Sequence, residues 1–301
     1  MRKLKLDTSR ILLIVGVVLL SYSTIAGVVT RQQQRKLVST YESSTSSTSE
    51  DVLAQEESDA NYYNNVLYKS QDVTLGNQNI DWLSDDSYNS LLNSSGTGVM
   101  GSLEIPKIDV DLPIYHGTSD DALSNGVGHQ QGSSLPVGGK NTRCILTGHR
   151  GIPGSSLFTR LDELSENDLF FIKVLNETLA YKVYKIEVID PEDVDGVYEI
   201  TEGADECSLV TCTPYGLNTQ RLIVTGKRVT YSEKDYNNIK KGLPSLREIV
   251  FTLLPIVVIM VIITFKVADW RKKHEKMVKK FSSSDGYVDL WGSNDTKDGI
   301  R

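Results

Sequence analysis

Cysteine is scarce in this chain, which has only three in 301 residues: Cys144, Cys207 and Cys212. Outside a cell an odd number of cysteines cannot all pair within one chain, so at least one thiol is free or pairs with another molecule. Cys207 and Cys212 are close in sequence, but a zinc site usually needs a second pair of ligands, which the sequence lacks. We therefore expect neither a disulfide framework nor a metal, and no other cofactor is indicated.

Histidine is almost as scarce, and the four present are His116, His129, His149 and His274. The first three each lie beside a glycine, and the fourth lies in a basic C-terminal tail. Taken alone, such a histidine is more often a hydrogen-bonded loop or structural residue than a catalyst. The pattern does not choose among the first three.

Charged residues are missing from two long apolar stretches. Ile11–Val29 follows a basic N-terminus and has about the length, ~20 residues, that crosses a bilayer as a helix. We interpret it as an uncleaved anchor; the alternative is a signal peptide cleaved near Ser23–Ala26, which matches a cleavage site only loosely. Ile249–Phe265 is the second candidate span. The alternative for it is a buried core helix, but no amphipathic stripe is visible.

A basic cluster follows the second span directly. Because Lys and Arg accumulate on the cytoplasmic side of spanning helices, both ends are expected inside the cell. The chain is therefore predicted to cross the plasma membrane twice, with everything between the spans outside. The bilayer is an expected partner, and nucleic acid is not.

The region between the spans divides by composition. Ser39–Asp59 is dominated by Ser, Thr, Glu and Asp and cannot fold alone, so a solvated stalk is predicted. The full set of predicted segments is 1–30 (cytoplasmic stub and first span), 31–60 (stalk), 61–98 (N-terminal helices), 99–232 (folded domain), 233–248 (linker), 249–265 (second span) and 266–301 (basic cytoplasmic tail).

Many short strands separated by turn residues indicate a barrel or a sandwich. Leu157, Leu161 and Leu164 recur at helical spacing and predict one short amphipathic helix. The predicted strands are Leu103–Ile108, Asp111–Tyr115, Arg143–Thr147, Leu169–Val174, Ala180–Val188, Ser208–Thr211 and Arg221–Val224.

Cys212 lies where a predicted strand ends in a turn, a common location for functional groups. A neighbouring cation can lower the pKa of a cysteine thiol and so favour the nucleophilic thiolate. If the strands before and after this turn pair, Arg221 comes to the same end of the sheet as Cys212. Cys144 and Cys207 lie within or at the start of apolar strands, so we predict that both are core residues.

Together these residues resemble the catalytic signature of sortases. The resemblance covers roughly Val99–Thr230 and implies an eight-stranded β-barrel with short helices and a cysteine transpeptidase acting on LPxTG-like sorting signals of Gram-positive bacteria. By matched position Cys212 is the implied nucleophile, His149 the acid and base, and Arg221 the substrate and oxyanion stabiliser. The matching stretches are Thr147–Gly151 (TGHRG), Leu209–Gly216 (LVTCTPYG), Arg221, Leu103–Ile108 (LEIPKI), Leu112–Gly117 (LPIYHG) and Ser134–Gly139 (SLPVGG).

A second span and the sequence Thr211–Gly216 (TCTPYG) resemble class C, the sortases that join the threonine of one pilin to a lysine amine of the next. Many of them carry a lid with an Asp-Pro-aromatic motif. Asp81 and Trp82 are the nearest match, without the proline, so a lid within 61–98 and an ordinary packed tryptophan with a capping aspartate remain alternatives. A housekeeping sortase, a silent membrane-anchored binding module and a cysteine protease are alternative functions.

Overall fold

The structure is a computed structural model that describes residues 8–71, 84–93, 96–152, 155–242 and 246–284. Its contacts divide the chain into two units. One is formed by Tyr22–Leu246, and the other by the terminal segments Met1–Ser21 and Arg247–Arg301. All strands of the described residues lie in the first unit.

The described residues form six α-helices and eight strands. The helices are α1 (Thr8–Ser47), α2 (Glu50–Gln71), α3 (Asp85–Ser90), α4 (Asp120–Asn125), α5 (Glu233–Asn238) and α6 (Leu246–Ser284). The strands are β1 (Val99–Ile105), β2 (Val110–His116), β3 (Val127–His129), β4 (Thr142–Thr147), β5 (Leu169–Val174), β6 (Glu177–Ile189), β7 (Asp205–Thr213) and β8 (Gln220–Val229).

The eight strands close into a barrel in the order β1-β2-β3-β4-β7-β8-β6-β5. Pairing of β5 with β1 completes the circle, so the barrel leaves no open sheet edge. The β2–β3 and β4–β7 pairs are parallel and the other pairs antiparallel. The eight-stranded barrel with short helices that the resemblance implied is confirmed.

The predicted strands recur with shifted ends, and one was missed. β1 ends at Ile105 because Pro106 starts a 3₁₀ turn, and proline cannot supply the N–H that a continuing strand would use. β3 escaped prediction because it is only three residues long and has Gly128 at its centre. It is nevertheless the link that joins β2 to β4.

β7 is covered on both faces, so its residues from Glu206 to Thr211 are all buried. Cys207 and Leu209 belong to the main core inside the barrel. Val210 points to the outer face and packs with Ile145 of β4 and Ile223 of β8 in a second, smaller cluster. The outer face of β4, β7 and β8 is therefore also an ordered packing surface.

The helix predicted from Leu157, Leu161 and Leu164 is wrong as a helix. Residues 157–160 form turns, and a single 3₁₀ turn covers Leu161–Glu163. The three leucines are nevertheless buried, so their spacing reflects contact with the core. Backbone hydrogen bonds three residues apart, such as Leu164 N to the Leu161 oxygen, replace the helical pattern.

The prediction of a solvated stalk over 31–60 is also wrong. Helices α1 and α2 cover all but two residues of Ser39–Asp59, and Tyr41, Thr45 and Leu53 are buried. The composition predicts a segment that buries too little apolar surface to fold by itself. It folds here because the barrel supplies the other half of the packing surface.

Polar bonds hold these helices to the barrel. The Tyr41 hydroxyl donates to the Met100 carbonyl oxygen at 3.0 Å and accepts from the Leu175 N–H at 3.2 Å. Asn64 bonds both backbone groups of Leu135, at 3.2 Å and 2.7 Å. Burial raises the pKa of Tyr41 to about 12, as expected for a hydroxyl that remains a buried donor.

In the terminal unit, Leu253–Lys279 within α6 is the one described segment long and apolar enough to cross a membrane. It includes Pro255, which a membrane helix tolerates. The N-terminal stretch Ile11–Val29 is helical within α1. The predicted linker 233–248 contains the short helix α5, capped by the Ser232 hydroxyl.

Candidate active site

Cys212 and Arg221 face each other near the end of the β7–β8 ladder. The two residues are partners in this antiparallel pair, and Val210 lies opposite Ile223 two residues earlier on β7. Because side chains two residues apart share a face, Cys212 and Arg221 continue the outer row begun by Val210 and Ile223. The pairing expected from the sequence is confirmed.

His149 reaches the same end of the sheet on the other side of β7. β4 runs parallel to β7 with Thr147 opposite Val210, and the Gly148 N–H donates to the Val210 oxygen at 3.0 Å. Thr147 lies two residues before His149, and its partner Val210 lies two residues before Cys212, so both residues follow at the same end of the sheet. The structure thus places His149, Cys212 and Arg221 at the ends of three adjacent strands.

The turn that carries His149 depends on two glycines. A Cβ on Gly148 would lie 2.7 Å from the ring of buried Phe158, too close for any larger residue. Gly151 has a φ of +83°, a conformation that favours glycine, and a Cβ there would lie 3.0 Å from the Tyr215 ring. The turn is therefore fixed between the core and the loop that follows Cys212.

The three side chains at this site are half-buried, and Cys212 is a free thiol. Arg221 Nη1 donates to the carbonyl oxygens of Asn218 at 3.4 Å and Gln220 at 3.2 Å. Both bonds use one nitrogen of a group with five N–H donors, so donors remain for an incoming oxyanion. A thiol, an imidazole and a guanidinium in one row can supply a nucleophile, a proton carrier and an anion stabiliser.

The other two histidines of this unit have both ring nitrogens engaged. His129 is fully buried; its Nδ1 lies 2.9 Å from the Tyr88 hydroxyl and its Nε2 2.9 Å from the Ser134 oxygen. His116 Nε2 lies 2.7 Å from the Leu91 oxygen, and burial lowers the pKa of His116. The geometry thus separates His149 from the two histidines that the sequence could not exclude.

Cys144 and Cys207 are buried free thiols, as predicted. They lie opposite each other in the parallel β4–β7 pair and belong to the interior core. Burial, with the neighbouring Cys144, raises the pKa of Cys207 well above its ordinary value. These two cysteines are therefore packing residues inside the same two strands that position His149 and Cys212.

Arg150 and Thr213 are parts of the site that the sequence interpretation missed. Arg150 Nη1 donates to the Thr213 hydroxyl at 3.0 Å, which connects the residue after His149 to the residue after Cys212. Their positions next to the two candidate residues were the available signal. The suggested lid residues Asp81 and Trp82 lie outside the described residues.

Comparison with known proteins agrees with this geometry. A family model described as a sortase domain matches residues 103–229. Sortase D of Bacillus subtilis is 35% identical over 133 residues, which cover 43% of this chain and 64% of that protein. The chain spans less than two thirds of the length of the curated relatives it matches.

Solved structures with this fold include two class C sortases. Sortase C1 of Streptococcus agalactiae is 40% identical with a TM-score of 0.59, covering 65% of this chain and 100% of that one. Sortase C of Clostridium perfringens, solved with the C-terminal cell wall sorting motif, is 38% identical with a TM-score of 0.56, covering 65% and 99%. The barrel, the family model and these relatives together establish that the chain belongs to the sortase family.

Proposed function

We propose that the chain is a class C cysteine transpeptidase that cleaves an LPxTG-like sorting signal between Thr and Gly and transfers the acyl group to a pilin lysine. The observation that carries this proposal is the placement of His149, Cys212 and Arg221 at three adjacent strand ends, half-buried on one face. Similarity to sortase C structures supports the pilin-building class.

The acylation step uses all three residues. The Cys212 thiolate attacks the carbonyl carbon of the Thr–Gly bond, and Arg221 donates hydrogen bonds to the oxyanion that forms. The carbon–nitrogen bond then breaks, and the His149 imidazolium gives its proton to the departing glycine amine. The product is a thioester between Cys212 and the threonine carbonyl.

The transfer step reverses the proton movement. Neutral His149 takes a proton from the attacking lysine amine as the nitrogen bonds to the thioester carbonyl carbon. The carbon–sulfur bond breaks, an amide forms and the Cys212 thiolate is regenerated. Arg221 again stabilises the oxyanion in this step, because the same carbonyl oxygen carries the charge.

We also propose that the domain works outside the cell, with Ile11–Val29 and the apolar part of α6 as two membrane spans. The basic residues that flank both stretches support this topology, because Lys and Arg concentrate on the cytoplasmic side. An extracellular domain is where surface proteins carrying sorting signals would be met.

Asp81 and Trp82 are proposed as lid residues that restrict access to Cys212. Support comes from the anchor that follows them. Ser84 caps α3, and Tyr88 of α3 is 1% exposed and packs in the barrel between His116 and His129.

The test is transpeptidation by the full-length chain in detergent. A synthetic peptide with an LPxTG-like motif and a lysine-containing peptide are supplied together, and the isopeptide product is measured by mass spectrometry. Wild type and Cys144→Ala should form it, and Cys212→Ala should not. Hydrolysed peptide without isopeptide product would instead indicate a protease, and no turnover of any motif variant would indicate a binding module.

In cells, covalent pilin ladders are expected. Single proteins attached to the wall, with no ladders, would favour the housekeeping alternative. The same Cys144→Ala variant serves as the matched control, because it removes a thiol of the same strand pair without touching the outer face.

A further inference from the structure

Arg150 is a buried cation beside the candidate active site. Its side chain is only 4% exposed, whereas that of its ion-pair partner Asp162 is 51% exposed. A buried charge is costly unless it is paired and hydrogen-bonded. An arginine on the surface would not carry that cost. The hydrogen bonds that Arg150 makes therefore indicate its structural role.

Those bonds join three separate parts of the chain. Nη1 donates to the Thr213 hydroxyl at 3.0 Å, and Nε donates to the Thr159 carbonyl oxygen at 3.3 Å. Nη2 forms the ion pair with Asp162. One guanidinium thus connects the His149 turn, the segment 159–162 and the end of β7, a task suited to its rigid fork of donors.

A second bond completes a symmetrical arrangement around Cys212. The Thr211 hydroxyl, 1% exposed, donates to the Gly148 carbonyl oxygen at 2.7 Å. The residues on both sides of Cys212 therefore bond the residues on both sides of His149. Because side chains alternate along a strand, Thr211 faces away from Cys212 and leaves the outer face to the thiol.

We propose that Arg150 and Thr213 are positioning residues that set the spacing between His149 and Cys212. Their hydrogen bond is here called the Arg150–Thr213 clamp. It fixes the turn after His149, and the bond from Thr211 to Gly148 fixes the turn before His149. Arg150 is too deeply buried to touch a bound peptide, so it acts through His149. This inference rests on the proposed function for its kinetic consequences, but the clamp itself is a property of the free protein.

The clamp predicts a selective kinetic effect. Thr213→Val keeps the size of the side chain and removes the hydroxyl that accepts the bond. Since misplacement of a catalytic group by about 1 Å costs on the order of 10²-fold, kcat should fall by ~10- to 100-fold while KM changes little. Thr213→Ser retains a hydroxyl and should recover most of the lost rate, which a loss of packing alone would not allow.

A double-mutant cycle tests whether the two residues act through one bond. Arg150→Met removes the donor and leaves Asp162, half-exposed, in contact with water. If the clamp is the shared cause, the double variant Arg150→Met/Thr213→Val should lose no more kcat than Arg150→Met alone. Multiplying losses would overturn the proposal, as would Thr213→Val turnover equal to wild type.

A second readout does not depend on peptide turnover. The full-length chain in detergent is treated with iodoacetamide, and alkylation of Cys212 is followed by peptide mapping. A correctly placed imidazolium favours the thiolate form of a cysteine. His149→Gln should therefore slow alkylation, and Thr213→Val should slow it by a similar factor while Thr213→Ser does not.

The two assays separate the failure of this proposal from failure of the proposed function. If wild type forms no isopeptide product but the alkylation pattern holds, the proposed function is wrong and the clamp stands. If Thr213→Val is alkylated as fast as wild type while His149→Gln is slow, the clamp is wrong. Equal rates in wild type and His149→Gln also overturn it, because no histidine–cysteine pairing would exist to be positioned.

Discussion

The barrel contains two clusters of histidine and cysteine on neighbouring strands, and they differ in access. The inner cluster, His129, Cys144 and Cys207, lies 0–2% exposed inside the barrel. In the outer row, Cys212 is half-buried near the end of β7 and lies opposite Arg221, and His149 is half-buried two residues after the end of β4.

The inner cluster is closed to solvent, and its groups contact one another and nearby protein oxygens. Both ring nitrogens of His129 lie against protein oxygens, and burial raises the pKa of Cys207. The His149 ring makes no hydrogen bond to any described residue. Residue types and strand positions are therefore not enough to identify a candidate active site. The outer row differs in having a solvent-accessible thiol, a histidine ring without a hydrogen-bond partner among the described residues, and a nearby arginine.

Removal of the Cys212 thiol should have the largest effect, and it tests directly whether the outer row and the inner cluster differ in function. Cys212→Ala should abolish covalent pilin ladders in cells that have no other sortase, with the melting temperature of the protein unchanged. Cys144→Ala should show the reverse pattern, with ladders kept and the melting temperature lowered, because it leaves a small cavity in the core. Wild-type ladders in Cys212→Ala would contradict the assignment.

Arg221 distinguishes the outer row, because it lies directly opposite Cys212 in the β7–β8 pair. Arg221→Lys should lower kcat/KM by about 10²–10³-fold, since an ammonium cannot reproduce the planar fork of donors. The matched control is Arg228→Lys on the same strand, where the side chain pairs with Asp205. Peptide turnover measures both, and near-normal turnover by Arg221→Lys would remove that residue from the mechanism.

A variant of Tyr88 tests how much the hydrogen bonds around the inner cluster contribute to the stability of the fold. Its hydroxyl lies 2.9 Å from His129 Nδ1 and accepts from the Gly117 N–H at 2.9 Å. Tyr88→Phe leaves the buried His129 ring and the part-buried Gly117 N–H without that partner and should lower the free energy of unfolding by about 1–3 kcal/mol. Denaturant unfolding of the full chain measures this, and the exposed Tyr231→Phe serves as control. No stability loss in Tyr88→Phe would show that the hydroxyl is not needed.

The pH dependence of stability should come partly from His116, whose ring packs against Tyr88. Burial lowers the pKa of His116 from its ordinary 6.5, so below that pH the unfolded chain binds the proton more strongly than the folded chain. Stability is therefore lost as the pH falls through about 6.5. His116→Gln should flatten this part of the unfolding profile, measured by denaturant midpoints at several pH values. An unchanged slope in that variant would assign the effect to other groups.

The lid proposal predicts the smallest effect. Asp81→Ala and Trp82→Ala should each raise the rate at which a thiol reagent labels Cys212, because the cleft opens more often. Cys144 and Cys207 should stay unlabelled in the native protein, since they are buried inside the barrel. Equal labelling of Cys212 in wild type and both variants would argue against a lid anchored at these residues.

The residues predicted most of the strands, whereas the choice of an eight-stranded barrel over a sandwich came from the family resemblance. Leu169–Val174 coincides with β5, and the β7–β8 turn brings Cys212 and Arg221 together as the two flanking strands indicated. The sequence failed at Ser39–Asp59, where composition measured the ability to fold alone. The helices there gain their order from hydroxyl and amide bonds to the barrel, such as those of Tyr41 and Asn64.

The choice of His149 over His116 and His129 could not be made from the residues alone, because each lies beside a glycine. What separates them is the set of partners of the ring nitrogens, which depends on distant residues such as Tyr88 and Leu91. The Arg150–Thr213 bond was hidden for the same reason, since its two ends are 63 positions apart in sequence.

The central claim is that Cys212 is the nucleophile of a transpeptidase, and intact-mass analysis tests it most directly. The full-length chain is mixed with an LPxTG-like peptide in the absence of an amine acceptor, quenched in acid and weighed. We predict a thioester adduct equal in mass to the peptide up to its threonine, mapped to Cys212 and released by hydroxylamine. An adduct on Cys144 or Cys207, or turnover of the peptide by Cys212→Ala, would contradict it.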